Sequence, residues 1–160
     1  MKAIHLQKYI IEPVLIHLNK RSDAAIQLLL GTAAVESNLF RIRQIGYQLD
    51  SLNGAYGLWQ MELFTYDSLF NDYLNYRAAL KTKVLSFYDK NCSVPQNLIN
   101  NHFYACAMAR VKYLTVPERL PKFNDIEAMA VYWKKYYNTE EGKGTVIKFI
   151  ENYKKYILNE

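Results

Sequence analysis

Cysteine is scarce in this chain. Its 160 residues hold two, Cys92 and Cys106, too few for a disulfide framework. Cys106 falls in an apolar helical pattern and reads as a small hydrophobe, Cys92 as a loop residue. No Cys/His spacing matches a zinc site, and His5, His17 and His102 stand too far apart to form a motif. No metal or organic cofactor is therefore expected. Glycine and proline are also sparse, at six and four residues. No repeat, low-complexity segment or interdomain linker is visible, and length alone argues for one domain over 1–160. No apolar run approaches the length of a membrane span. A short apolar start after Lys2 is broken by Gln7, Lys8, Glu12 and Pro13, so no secretory signal is expected. Basic runs are missing too. Apart from Lys134-Lys135 and Lys154-Lys155 the Lys and Arg residues are scattered, which argues against a nucleic-acid interface. Gly142-Lys143-Gly144 is too short and misplaced to be a phosphate loop.

What is present is apolar and helical in pattern. Hydrophobic residues make up 51% and charged residues 22%, the usual balance of a globular domain. The net charge of +5 favours anionic partners: nucleic acid, a membrane face or a cell-wall polymer. Fourteen tyrosines stand against two tryptophans. Tyrosine has an apolar body and a polar tip, and so suits core edges and sugar-binding clefts alike.

Apolar spacing predicts the elements. Residues 3–19 read as two helical pieces with a kink or turn near Glu12, because Pro13 suits a first turn better than a helix interior. Ser22 is a natural N-cap for a helix over Asp23–Ser37. Gly31 inside that helix is tolerable if another helix backbone packs there. Residues 38–56 are irregular and rich in turn formers. Helices are predicted over 62–74 and 76–88, a loop over 89–95, and one long helix over 96–114. Arg110 in the last of these is expected to snorkel or to pair with a carboxylate. Asn124 or Asp125 caps a helix running to Tyr137, and Thr145 caps a last helix to Ile157. The prediction is a mainly α single domain.

The stretch from Leu28 to Met61 organises the chain. Its helix presents Ala25, Leu28, Leu29, Thr32, Ala33 and Glu36 at i, i+3 and i+4 spacings. Glu36 is a lone acid at the end of an otherwise apolar helix. Burial there would raise its pKa and suit it to general-acid chemistry at neutral pH; otherwise it is the first solvated residue after a core helix. Asp50 reads as a second carboxylate or as a loop-capping Asp. Trp59 is either a stacking platform or a core anchor. Gly57 lets the backbone approach a ligand or the central helix closely.

Glu36-Ser37, then Gly57-Leu58-Trp59-Gln60-Met61 about twenty residues later, then Tyr137-Asn138-Thr139-Glu140-Glu141-Gly142-Lys143-Gly144-Thr145 resemble the lysozyme-like superfamily. The nearer resemblance is to lytic transglycosylases and their bacteriophage relatives, and it covers roughly residues 25–150. It implies a mainly α, lysozyme-like domain whose central helix ends in the catalytic Glu36. A small β-hairpin or irregular loop is expected at 40–56. It also implies cleavage of the β-1,4 bond between N-acetylmuramic acid and N-acetylglucosamine in peptidoglycan.

By the same resemblance Glu36 is the catalytic acid, with Glu62 and then Asp50 as candidates for a second carboxylate. Ser37, Gly57, Trp59, Gln60, Tyr137 and Asn138 are candidate substrate-binding residues. The Gln60 amide is suited to bonding both the acid and an N-acetyl group, and the Tyr137 hydroxyl is expected to meet the Glu36 carboxylate. The implied partners are peptidoglycan glycan strands, with other virion proteins or a holin. The implied location is a phage virion, or the bacterial cytoplasm before release to the wall. Phe40, Trp59 and Thr139-Glu140 depart from the family's usual residues at those positions. A hydrolysing lysozyme, a chitinase of the same superfamily and a non-catalytic wall-binding module are the alternatives.

Overall fold

The computed structural model of the chain describes residues 1–44, 46, 48, 52–138 and 142–159. It begins with helix α1 (Ala3–Leu6), a wide π turn over Gln7–Ile11 and helix α2 (Glu12–His17). The path is helical throughout: Ile11 and Glu12 both keep right-handed helical angles. The interruption expected near Glu12 is thus the end of a π turn within a continuous helical path. The wide turn ahead of Pro13 accommodates the ring and the missing N–H, and the proline sits in the first turn of α2.

Helix α3 (Asp23–Ser37) starts where the Ser22 hydroxyl accepts the Ala25 N–H at 3.1 Å. Every residue from Ala25 to Val35 is buried, as expected of a helix that is apolar on all sides. It ends at Asn38, a left-handed residue with φ 54° whose N–H returns to the Ala34 carbonyl. A side chain at Gly31 would run into the ring of Phe149. The close neighbour there is thus an aromatic ring, where the sequence had suggested a helix backbone.

Strands β1 (Ala55–Tyr56) and β2 (Met61–Glu62) pair antiparallel, with Tyr56 opposite Met61 and Ala55 opposite Glu62. The hairpin expected at 40–56 is thus centred later, on the Gly57–Gln60 turn. Gly57 (φ 74°) and Gln60 (φ 46°) take the left-handed angles this turn requires. The earlier stretch joins it through one bridge, Arg43 to Tyr56. Helix α4 (Leu63–Ser68) continues as a π turn over Leu69–Tyr73 and a tight turn over Leu74–Tyr76, and α5 (Ala78–Leu85) follows.

The long helix predicted over 96–114 is two helices, α6 (Val94–Asn100) and α7 (His102–Leu114). Asn101 leaves the helical region (φ −106°, ψ 87°). Its side-chain Oδ1 accepts the Tyr104 N–H at 3.1 Å while its side-chain Nδ2 donates to the Phe87 carbonyl at 2.6 Å. Ser93 and Gln96 close a capping box at the start of α6. Arg110 lies buried in α7, only 7% exposed. Among the described residues it pairs with no carboxylate, and its Nε has no hydrogen-bond partner. Neither expectation for Arg110 holds: its charged neighbours are replaced by the phenols of Tyr73, Tyr113 and Tyr132.

Asp125 caps helix α8 (Ile126–Trp133), which passes into a π turn over Lys134–Asn138. Thr145 caps helix α9 (Val146–Tyr153), extended by another π turn to Leu158. The fold is mainly helical, with one two-stranded sheet among the described residues. One apolar core runs through α1, α2, α3, α7, α8 and α9. No described helix is long and apolar enough to cross a membrane.

Candidate active site

Glu36 occupies the last turn of α3 and lines a cleft of about 560 Å³. Gln60 and Glu62 from the hairpin line the same cleft, with Tyr137, Asn138 and the 142–144 segment. Glu36 is half-buried. Its Oε1 accepts a hydrogen bond from the Trp133 indole N–H at 3.0 Å. Burial pushes its pKa from 4.5 up to about 7. The Trp133 bond, Lys112 and Lys148 pull in the opposite direction, and Glu62 adds slightly to the rise. An acid poised near neutrality can donate a proton in one step and accept one in the next.

Trp133 is held rigidly. It is 1% exposed and packs on Phe149 at 5.4 Å between ring centres. A side chain at Gly144 would strike the far edge of the indole. Gly144 therefore lets this segment lie against the ring that holds Glu36, while Gly142 leaves room for Asn138.

Lys112, near the end of α7, also lines the cleft. Its Nζ donates to the Tyr137 carbonyl at 2.7 Å and lies 4.0 Å from the centre of the Tyr137 ring. Burial lowers its pKa to about 8, against the opposing pull of Glu36 and Glu62.

The structure brings some of the expected site residues together and sets others apart. Glu36, Gln60, Glu62, Tyr137 and Asn138 share the cleft. The Gln60 amide donates to the Gly57 carbonyl at 2.7 Å. Asn138 Oδ1 accepts from Lys134 at 2.9 Å. The Tyr137 hydroxyl donates to the Trp59 carbonyl at 2.8 Å. It does not meet the Glu36 carboxylate as expected; Trp133, four residues earlier, provides the bond to the acid.

Three expected substrate contacts are structural. Ser37 is fully buried and its hydroxyl donates back to the Ala33 carbonyl. Trp59 is 1% exposed and its indole donates to the Leu29 carbonyl at 2.9 Å, so it anchors the hairpin to α3 and offers no sugar platform. Gly57 is buried, and a side chain there would run into the Leu98 carbonyl oxygen of α6. The close approach it permits is to that helix, neither to a ligand nor to α3. Asp50, the other second-acid candidate, lies outside the described residues, as do Thr139, Glu140 and Glu141.

Sequence reasoning missed the cleft's cations. Among the described residues five bases, Arg41, Arg43, Lys112, Lys143 and Lys148, line it against two acids, Glu36 and Glu62. Arg43 is used structurally: it donates to the carbonyls of Gln48, Asn53 and Ala55 and stacks on Tyr56. The one available signal was Lys112 itself, a second cation beside Arg110 within the apolar pattern of α7.

No family model matches the chain, and neither does a curated protein or a solved structure.

Proposed function

We propose that the chain is a peptidoglycan-degrading glycosidase that cleaves the β-1,4 bond between N-acetylmuramic acid and N-acetylglucosamine through Glu36. The observation that carries this reading is a single one. A carboxylic acid raised to about 7 by burial faces a cleft of about 560 Å³ and is oriented there by an indole donor. A glycosidic bond needs that arrangement, because its leaving oxygen departs only when protonated. The cleft's cationic rim suits a polymer that carries carboxylates.

Glu36, whose protonated form is substantially populated at neutral pH, gives its proton to the leaving oxygen. The substrate's own N-acetyl group supports the positive charge at the sugar. The Glu36 carboxylate then takes the proton of the muramic acid 6-hydroxyl, which closes a 1,6-anhydro ring. This lytic transglycosylase route needs no second acid. The setting is a phage or prophage protein used in wall penetration or lysis, with glycan strands as substrate and virion proteins or a holin as partners. Glu62 on the same cleft supports a second reading, a hydrolysing lysozyme in which a second carboxylate helps a water attack. The non-catalytic alternative is a wall-binding virion protein of the same shape.

Digestion of purified sacculi by wild type and Glu36→Gln, with muropeptide ends read by mass spectrometry, tests all three. Anhydro-muramic ends from wild type alone are expected. Reducing ends would transfer the reading to the hydrolase and make Glu62→Gln the next variant. Intact sacculi with both proteins, across several wall chemistries, would replace the enzyme with the binding module.

A further inference from the structure

Lys112 is an expensive residue to place where it is. Its ammonium is half-buried at the end of an apolar helix. No described carboxylate lies within ion-pair distance of it. Among the described residues one of its three N–H donors is hydrogen-bonded, to the Tyr137 carbonyl, and the ammonium also lies over the Tyr137 ring. A neutral donor of similar length could make that bond without the cost of a desolvated charge. The other two donors are left for the contents of the cleft, which Lys112 lines together with Glu36. The carbonyl it holds belongs to the π turn that follows Trp133 directly, and Trp133 holds Glu36. One ammonium thus touches the segment that orients the acid and puts its charge into the acid's cleft.

We propose that Lys112 is a positioning residue that supplies the counter-charge for Glu36 once Glu36 has given up its proton. The proposal rests on the glycosidase reading above for its chemistry. In the first step the proton passes from Glu36 to the leaving oxygen and a carboxylate appears in the cleft that the ammonium also lines. In the second step the carboxylate recovers a proton from the attacking hydroxyl. Lys112 keeps its own proton throughout.

The charged and titratable groups acting on Glu36 come from several elements. They are Lys112 and Tyr113 on α7, Lys148 on α9, Glu62 on β2 and Tyr137 in the π turn after α8. Of the charged groups, Lys112 stands first in its pull on the acid, ahead of Lys148 and Glu62. The coupling is mutual, since Glu36 is in turn the first charge acting on Lys112.

The test compares Lys112→Met, which removes the charge and the donor, with Lys112→Arg, which keeps both. Carbon-13 NMR of the Glu36 carboxyl, assigned by its loss in Glu36→Gln, reads the acid directly and needs no turnover. Lys112→Met is expected to move the Glu36 midpoint up by about one pH unit, and Lys112→Arg to restore it. In sacculus digestion, the alkaline limb of the pH profile is expected to move the same way. The maximal rate should fall on the order of tenfold or more with little change in KM, since the lost interaction belongs to the charged intermediate. A Glu36 midpoint that stays in place in Lys112→Met, or an arginine that fails as completely as methionine, overturns the proposal. If Lys112→Met does not fold, the nitrogen-15 titration of the Lys112 ammonium in wild type and Glu36→Gln decides. Its midpoint is expected to fall when the acid is removed, and an unmoved midpoint overturns the pairing. A shifted midpoint with no digestion by wild type would keep the pairing and remove the glycosidase reading.

Discussion

A carboxylic acid that titrates near neutrality weakens the fold at high pH. Glu36 has an ordinary value of 4.5 in the unfolded chain and about 7 in the folded one. Between those values the folded chain holds a proton that the unfolded chain has released. Stability therefore falls as pH rises through this window, by up to about 3 kcal/mol from this group. Glu36→Gln removes the dependence. Thermal unfolding is expected to show the variant and wild type matched at pH 4, and the variant the more stable at pH 8. Equal stabilities at pH 8 would mean that Glu36 is hydrated in solution. Trp133→Phe isolates the second contribution. It deletes the indole donor, which lowers the Glu36 pKa, while keeping most of the ring. The alkaline limb of sacculus digestion is expected to move upward, and urea unfolding should record a loss of about 1 kcal/mol for the missing bond.

Elements here are positioned by a few residues with special geometry. Gly57 carries the hairpin turn at φ 74° and lets it press on the Leu98 carbonyl. Gly57→Ala meets both the angle and a backbone atom that cannot yield, so a loss of about 2–4 kcal/mol is expected in urea unfolding. Asn101 breaks α6 from α7 with two hydrogen bonds; Asn101→Ala is expected to cost about 1–2 kcal/mol in the same measurement. These two residues also mark how far the chain could be read. The caps at Ser22, Asp125 and Thr145 were legible because a cap bonds a backbone group three residues away. The break at Asn101 was illegible because its second partner, Phe87, is 14 residues distant. The π turns were not read either, because each spans only five residues, too few for a shift in apolar spacing to be told from ordinary variation. Glu36 was legible as a lone acid on an apolar helix, whereas its donor Trp133 lies 97 residues away and reached the site only through tertiary packing. Trp59 and Ser37 fell on the wrong side of the same limit: their neighbours in sequence face the cleft, and they face the core.

At the scale of the whole molecule, charge and shape coincide. The chain is net positive by five, and the cleft carries more bases than acids among the described residues. Association with anionic sacculi is expected to fall steadily as salt is raised from near zero to about 0.5 M, where the screening length shrinks to a few ångströms. Co-sedimentation of Glu36→Gln, which leaves the polymer uncut, measures it. Binding indifferent to salt would assign recognition to the uncharged groups of the cleft.

The packing of α9 on α3 carries a consequence for the order in which the protein is made. Phe149 fills the space left by Gly31 and supports Trp133. Asn152 donates to the Ala34 carbonyl and to Asn38 at the very end of the acid's own helix. The acid's surroundings are thus completed by residues translated more than a hundred positions after it. A nascent chain stalled before residue 146 would lack Phe149 behind Trp133 and Asn152 at the end of α3, and so part of the packing around Glu36. The surroundings of Glu36 are therefore completed only when α9 has left the ribosome and packed on α3.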